Sequence, residues 1–506
     1  MHQRFAQSSV APVTGPVHSK LKKAILLCLF CFAQFLDTFN VSSVYAGIPS
    51  LEAVMGITAN EAPWIVAAFQ LTFAAFLLVS GKISDVYNPK HAFIVGIAGL
   101  GILCLITGFV DDKIAHFVLR ALAGVFASLT IPASLTLIVQ VFPNPTEQAN
   151  AISIFGGSAG FGNTLGVIVG AIFVEYTTWR WIYWFCTAVA IPIAILGVFM
   201  IPAQPEKHAE SNRRKLGRLD IPGVTGITIA VILFIYALTA APAEGWPTAG
   251  VLAPLIISVF LVVGFFFWER TLPVHRASVP TKTWFLPNFS ILFGVSLLPT
   301  FWWTNMATVL VPYWNLGFGW SIISVAVHML PNGVAGFLFA FTGGLSRIIS
   351  PKWIILAAHF PLIAATVLLA LADRADEYWR YTFPALCIGS ASCMVIYTHA
   401  NIAIFRGSPP AMAGTVGAIF NFGLQGGSAI GISIVGSIQN GINKGEPLSF
   451  RGREAGFWFT LGVVVVELIS VAIFMRAHID PPTDESTFPQ EKKEQETQSS
   501  DPSTAP

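Results

Sequence analysis

The sequence predicts an all-α polytopic membrane protein, on three observations. Its 506 residues are 54% hydrophobic and only 11% charged, with a mean hydropathy of +0.69. A soluble domain carries about 25% charged residues. Fourteen apolar runs, each near the ~20 residues that span a bilayer, follow one another along the chain. A loop also recurs. Gly81-Lys82-Ile83-Ser84-Asp85-Val86-Tyr87-Asn88-Pro89-Lys90 aligns without a gap on the stretch from Gly343 to Lys352. Gly81, Ser84, Pro89 and Lys90 fall on Gly343, Ser346, Pro351 and Lys352, an offset of 262 residues. Each copy follows one apolar run and leads into another, as expected of two repeated hydrophobic halves.

In order, the runs cover 24–48, 62–84, 91–110, 114–142, 151–175, 181–201, 220–240, 249–268, 288–313, 321–344, 353–372, 381–405, 411–439 and 456–476. Inside hydrocarbon every backbone N–H and C=O must be bonded within its own segment, so each run is read as a helix. The first follows Lys20-Leu21-Lys22-Lys23 and is too long for the apolar core of a cleaved signal. The seventh and eighth are short and joined by Ala241-Pro242-Ala243-Glu244-Gly245-Trp246-Pro247.

Lys and Arg collect on the cytoplasmic side of membrane proteins. With the N-terminus inside, the inside segments take 20 of the 28 Lys and Arg, the outside loops take 7, and Arg120 alone falls within a span. Both tails are therefore expected in the cytoplasm, which an even number of spans allows. The recurring loops then join spans 2–3 and 10–11. The chain divides into a cytoplasmic tail 1–23, a six-helix half 24–201 and a basic cytoplasmic loop 202–219 containing Arg213-Arg214-Lys215. Two inserted helices with a cytoplasmic loop follow at 220–287, then a second six-helix half 288–476 and a disordered cytoplasmic tail 477–506.

Several classes are excluded. The net charge of +2 is spread over short loops, which does not suit nucleic acid. All six cysteines lie within apolar runs, not in the exposed loops of a disulfide framework; Cys28 and Cys31 read as small packing residues. No nucleophile–base arrangement, metal-ligand cluster or phosphate-binding loop stands out, so no enzyme, metal or cofactor is expected.

Ionisable side chains inside hydrocarbon cost about 2.5–3.5 kcal/mol, so each is read as facing a cavity or a partner. These are Asp37 in span 1, Arg120 in span 4, His328, His359 and His399 in spans 10 to 12, and Glu467 in span 14. Arg120 needs an acceptor, and Asp37 is the nearest in kind, giving a proton-coupling pair or a structural ion pair. His399 has the most polar surroundings of the three histidines. With Asn40, Asn305 and Trp302 it is a candidate for a substrate cavity. Gly156 and Gly160, and Gly162, Gly166 and Gly170, each recur four apart on span 5, giving one face for close helix approach. Span 13 has a similar glycine content.

At these residues the chain resembles the 14-spanning drug:proton antiporter branch of the major facilitator superfamily, in its fungal form, over roughly 24–476. The branch's loop motif, G-x-L-A-D-R-x-G-R-K, is matched at Gly81, Asp85 and Lys90, while Val86, Asn88 and Pro89 depart from it. The span-4 motif R-x-x-Q-G is matched at Arg120 and Gly124, with Ala123 for Gln. The span-1 motif L-D-x-T is matched at Leu36 and Asp37, with Phe39 for Thr. In span 5, Gly166 stands at the proline of G-P-x-x-G-G and Val169 at its first paired glycine. Trp179-Arg180-Trp181-Ile182 matches the W-R-W-I/F run.

The resemblance implies a major facilitator fold, two six-helix halves plus two inserted helices, and alternating access between the halves. It implies that Gly81, Asp85 and Lys90 form a conformational lock, with Asp85 meeting the start of span 13 near Pro409-Pro410. Gly162, Gly166 and Gly170 take the antiport-motif role, and Asp37 with Arg120 couples protons. The expected function is proton-coupled efflux of a small organic molecule, drug or secreted metabolite, by a monomer in the plasma or vacuolar membrane. Its partners are the solute, protons and the lipid bilayer. Uptake or facilitated passage of a small polar solute or ion is the alternative, and a transporter-like membrane sensor the rival of another class.

Overall fold

The computed structural model describes residues 19–58, 61–62, 64–202, 220–272, 277, 279, 281–409, 412–443 and 450–477. Most of both tails, the basic loop with Arg213–Lys215, and Pro410 lie outside the described residues. Within them there is no strand. The helices are α1 (Lys20–Ser42), α2 (Val44–Met55), α3 (Trp64–Val86), α4 (Pro89–Thr107), α5 (Lys113–Ala127), α6 (Thr130–Val141), α7 (Pro145–Tyr176) and α8 (Arg180–Met200). The chain continues with α9 (Ile221–Glu244), α10 (Ala249–Thr271), α11 (Phe289–Pro312), α12 (Ile322–Ala340), α13 (Pro351–Leu371), α14 (Phe383–Arg406), α15 (Ala413–Asn443) and α16 (Phe450–Phe474).

Among the described residues, thirteen helical segments, counting α5 and α6 together, are long and apolar enough to cross a membrane. Helix α11 is as long, at 24 residues, but carries Thr300, Thr304 and Asn305 in its middle. With it, each of the fourteen expected spans has a helix. Two depart from the expected outline. Span 1 continues past 48, through α2 to Met55, and stops at Gly56, whose φ of +63° suits a left-handed helix end. Span 4 is broken at Ser128–Leu129. Pro132 has no N–H for the carbonyl of Ser128 four residues back and crowds it, which interrupts the ladder there.

Caps fix where helices begin. Asn88 and Asn144 accept from the N–H groups of Lys90 and Thr146, both at 2.9 Å, with Pro89 and Pro145 in the first turn, where a missing N–H costs nothing. Asn288 is the one non-glycine residue with positive φ among the described residues. That conformation lets its side chain bond both Arg476 N at 2.7 Å and Arg476 O at 2.8 Å, tying the start of α11 to the end of α16.

Apolar side chains gather into two main clusters. One runs from Leu26 to Ile201 within α1 to α8. The other runs from Ile227 to Met475 and takes in Ala74 and Ala75 of α3. The two meet where α3 and α6 pack on α15 and α7 packs on α12 and α14. Helix α9 packs on α10, α3 and α15.

The recurring loop plays one part twice. A Cβ on Gly81 would lie 2.5 Å from Ala418 Cβ and 2.8 Å from Gly414 O; one on Gly343 would lie 1.9 Å from Ser153 Oγ. Each glycine therefore lets its loop press against the near end of a helix in the other cluster. Lys90 Nζ donates to Val198 O and Ile201 O at 2.8 and 2.7 Å, at the end of α8. Lys352 Nζ donates to Ala472 O at 3.0 Å, at the end of α16. A cation on terminal carbonyls complements the negative helix end.

Candidate functional site: the central cavity and its closed end

Between the two clusters lies a cavity of about 1110 Å³, counting the part open to the surroundings. Helix α1 contributes Gln34, Asp37 and Thr38, and α3 contributes Phe69, Gln70 and Phe73. Asn163 of α7, Thr300, Trp303 and Thr304 of α11, and Asn332 of α12 add to the wall. So do Ser390 and Tyr397 of α14, and Asn421, Gln425 and Ser428 of α15. The lining mixes these carboxamides, hydroxyls and aromatics with Val41, Ile131, Met394 and Leu424. Among the described residues Asp37 is the one carboxyl on it. Trp303 Nε1 donates to Ser390 Oγ at 3.1 Å, and Thr304 and Ser428 share a hydroxyl bond of 3.0 Å, which fixes the wall on that side.

Asp37 is buried, with Oδ1 unpartnered and Oδ2 2.5 Å from Thr130 Oγ1. Thr130 Oγ1 also lies 2.6 Å from Ala127 O. A hydroxyl has one hydrogen. Donated to Ala127, it leaves the Asp37 contact to a carboxyl proton; donated to Asp37, it serves the ionised acid. Thr130 therefore fits either protonation state by turning its O–H.

Arg120 does not pair with Asp37, contrary to the expected pairing. Its Nε donates to Ile65 O at 3.0 Å and its Nη1 to Asn40 Oδ1, while the guanidinium lies 4.9 Å over the ring of Phe69. Asn40 sits three residues after Asp37, on nearly the same face of α1, and intercepts the cation.

The four residues expected to line a substrate cavity do not. Asn40 holds Arg120 and donates to Cys104 Sγ at 3.3 Å. Trp302 donates to Thr366 Oγ1 at 2.9 Å, and Asn305 to Thr460 Oγ1 at 3.5 Å, both away from the cavity. His399 is fully buried behind the wall. A residue's step of about 100° around a helix separates Trp302 and Asn305 from Trp303 and Thr304, which do face inward. The glycine stripe on α7 also divides. A Cβ on Gly156, Gly157 or Gly160 would meet Tyr397, Ala340 or Met394 in the other cluster. One on Gly162 or Gly166 would meet Thr38 or Ser42 of the neighbouring α1, and one on Gly170 would meet Ser43 just after it. Six residues from Gly156 to Gly162 turn the helix by about 240°, so there are two seams, not one face.

In the last turn of α3, Asp85 accepts from Gly414 N at 2.8 Å, Thr415 N at 2.7 Å and Thr415 Oγ1 at 2.6 Å. The carboxylate thus sits on the first turn of α15. Away from the cavity, His359 and Glu467, taken separately in the sequence, come together: Nε2 and Oε1 are 3.4 Å apart between α13 and α16. His328 lies against Trp320, with the rings tilted, and edge-on to Tyr378, at ring distances of 4.2 and 4.5 Å. Gln34, Gln70, Asn163, Asn332 and Gln425 are cavity residues that sequence reasoning passed over. Each was visible as a carboxamide inside an apolar run.

The sequence profile of the Major Facilitator Superfamily matches residues 30–432. The chain belongs to the major facilitator superfamily. Membership makes it a multi-pass membrane transporter rather than an enzyme. Among its relatives in this superfamily are the major facilitator superfamily multidrug transporter mfsC of Aspergillus fumigatus, 27% identical over 87% of this chain and 85% of that one, and the low affinity ammonium transporter of Saccharomyces cerevisiae, 24% identical over 88% and 87%. The human organic anion transporter MFSD10 (TETRAN) shares the fold, with a TM-score of 0.61 at 13% identity over 89% of this chain and 99% of that one.

Proposed function

We propose that this transporter is a proton-coupled exporter of small organic molecules, working by alternating access between halves 24–201 and 288–476. The reading is carried by Asp37, a carboxyl on the wall of the central cavity with one oxygen unpartnered and the other on Thr130. Proton uptake and release change the charge at the solute site, so solute and proton compete for one place. Thr130 serves both states of the acid, and Arg120 acts on it through Asn40 and the field of the guanidinium. A ligand shifts the populations only by binding the two conformations differently, and the Asp85 contact to α15 is the element to be broken and remade. We place the protein in the plasma membrane as a monomer with both tails cytoplasmic.

The relative mfsC, named a multidrug transporter, supports efflux. Facilitated passage of a small polar solute or ion is the second reading. It is favoured by Gly166 at the antiport-motif proline and by the relative named an ammonium transporter. Flux into proteoliposomes across a solute panel, with and without an imposed proton gradient, decides between them. Gradient-driven uphill movement lost in Asp37→Asn and Arg120→Ala is expected; flux that ignores the gradient overturns the proton role.

A further inference from the structure

A second chamber of about 1090 Å³, counting its open part, adjoins the central cavity beside the start of α3. Its walls are Tyr45 and Ile48 of α2, Val66 and Ala67 of α3, Ile235 and Thr239 of α9, and Ala429 and Ile432 of α15, among others. No described charged side chain lines it. Gln70, Gln425 and Ser428 belong to both cavities, forming a polar collar through which they communicate.

The outer wall is the inserted helix, and it is fastened to both sides of the junction. Toward α3, Thr228 Oγ1 donates to Ala75 O at 3.4 Å, and the rings of Trp64 and Tyr236 lie 5.7 Å apart. Toward α15, Asn440 Nδ2 donates to Pro242 O at 2.9 Å, and Trp246 Nε1, in the turn after α9, donates to Ser437 Oγ at 2.8 Å. An uncharged, mostly apolar room behind a carboxamide collar gains by taking apolar surface out of water and loses by taking a charge.

We propose that this chamber is a second binding site, for the uncharged apolar part of a transported molecule, and that α9 sets how large that part can be. The polar part of the same molecule then lies in the central cavity, with the collar bonding the join. The proposal rests on the central cavity being the solute site but not on proton coupling.

The test uses the full chain in lipid nanodiscs and the neutral apolar dye N-phenyl-1-naphthylamine, read by its fluorescence. Ile235→Trp and Ala429→Trp fill the chamber and are expected to weaken dye binding about tenfold or more. Glu467→Gln, which lines neither cavity, is expected to leave it within about twofold. If flux proves independent of the gradient and the dye results hold, the coupling falls and the chamber stands. Unchanged dye affinity in both tryptophan variants, with unfolding midpoints like the parent's, overturns the chamber. So does a phospholipid retained in native mass spectrometry that the dye does not displace, since an acyl chain is then the occupant. Should a tryptophan variant not fold, Ile432→Ala enlarges the same room, and unchanged dye affinity there is equally fatal.

Discussion

Thr415 gives Asp85 two hydrogen bonds, from its backbone N–H at 2.7 Å and its hydroxyl at 2.6 Å, and Gly414 N–H adds a third at 2.8 Å. Two orphan donors of a helix start and one hydroxyl thus converge on one carboxylate, a charge-assisted arrangement at a positive helix end.

Asp85→Asn presents an NH₂ group to at least one of those donors. Hydrogen bonds to charged groups contribute about 1.5–3 kcal/mol, so losing one shifts the population that keeps this contact more than tenfold. Spin labels at Tyr87 and Met412 report it. A broadened, longer distance distribution in the variant is expected; an unchanged one removes the locking role from Asp85.

That contact was expected from the resemblance to the antiporter branch, which carries Asp85 to the start of span 13. The recurring glycines and lysines were legible in the residues themselves, as a loop repeated at a fixed offset. Which side of a deeply buried helix faces the cavity was not. Helix α11 carries polar residues on two faces, Thr300 with Thr304 on one and Asn305 on the next, so its pattern does not distinguish Trp302, bonded to Thr366, from Trp303, which faces inward. Pairing was equally hidden. Arg120 had an acid and a carboxamide within one turn of α1, and only the packed helices decide that Asn40 takes it.

Close helix approach predicts a contrast between adjacent glycines of α15. A Cβ on Gly427 would lie 2.0 Å from the backbone oxygen of Leu297, whereas one on Gly426 would lie 3.5 Å from a Leu297 methyl. Backbone cannot swing aside, so Gly427→Ala forces α11 and α15 apart at a cost of about 1–3 kcal/mol. Gly426→Ala should be tolerated. Thermal unfolding of the two purified variants tests it, and equal midpoints refute the packing account.

Glu61, in the loop before α3, accepts from Thr58 N at 2.9 Å and from Lys113 Nζ at 2.9 Å. The Thr58 backbone N–H first, then Lys113 and the Thr58 hydroxyl, hold its carboxyl at about 2, below the usual 4.5. A carboxyl depressed in the folded state stabilises it fully above the ordinary value and loses that contribution as pH falls from about 4.5 through about 2. Acid should therefore lower the unfolding midpoint of the parent over that window more than that of Glu61→Gln. Because the pair is exposed, added salt should shrink the difference. Parallel pH profiles at low salt would exclude Glu61 as a source of acid sensitivity.

The pair between α13 and α16 makes the sharpest claim about a proton. His359 Nδ1 lies 2.8 Å from Ile355 O, and a carbonyl only accepts, so Nδ1 carries its hydrogen. Nε2 then faces Glu467 Oε1 at 3.4 Å, and a proton on either atom lets the two bond. Glu467→Gln places an N–H donor opposite Nε2 and should keep stability within about 1 kcal/mol of the parent, since a neutral bond replaces that one. Glu467→Leu leaves Nε2 buried with no donor, which costs about 1–3 kcal/mol, even though leucine suits the surrounding apolar helices better. Chemical or thermal unfolding in one detergent ranks the three proteins. The order parent, then Gln, then Leu is expected, and a leucine variant as stable as the parent means that the pair makes no such bond.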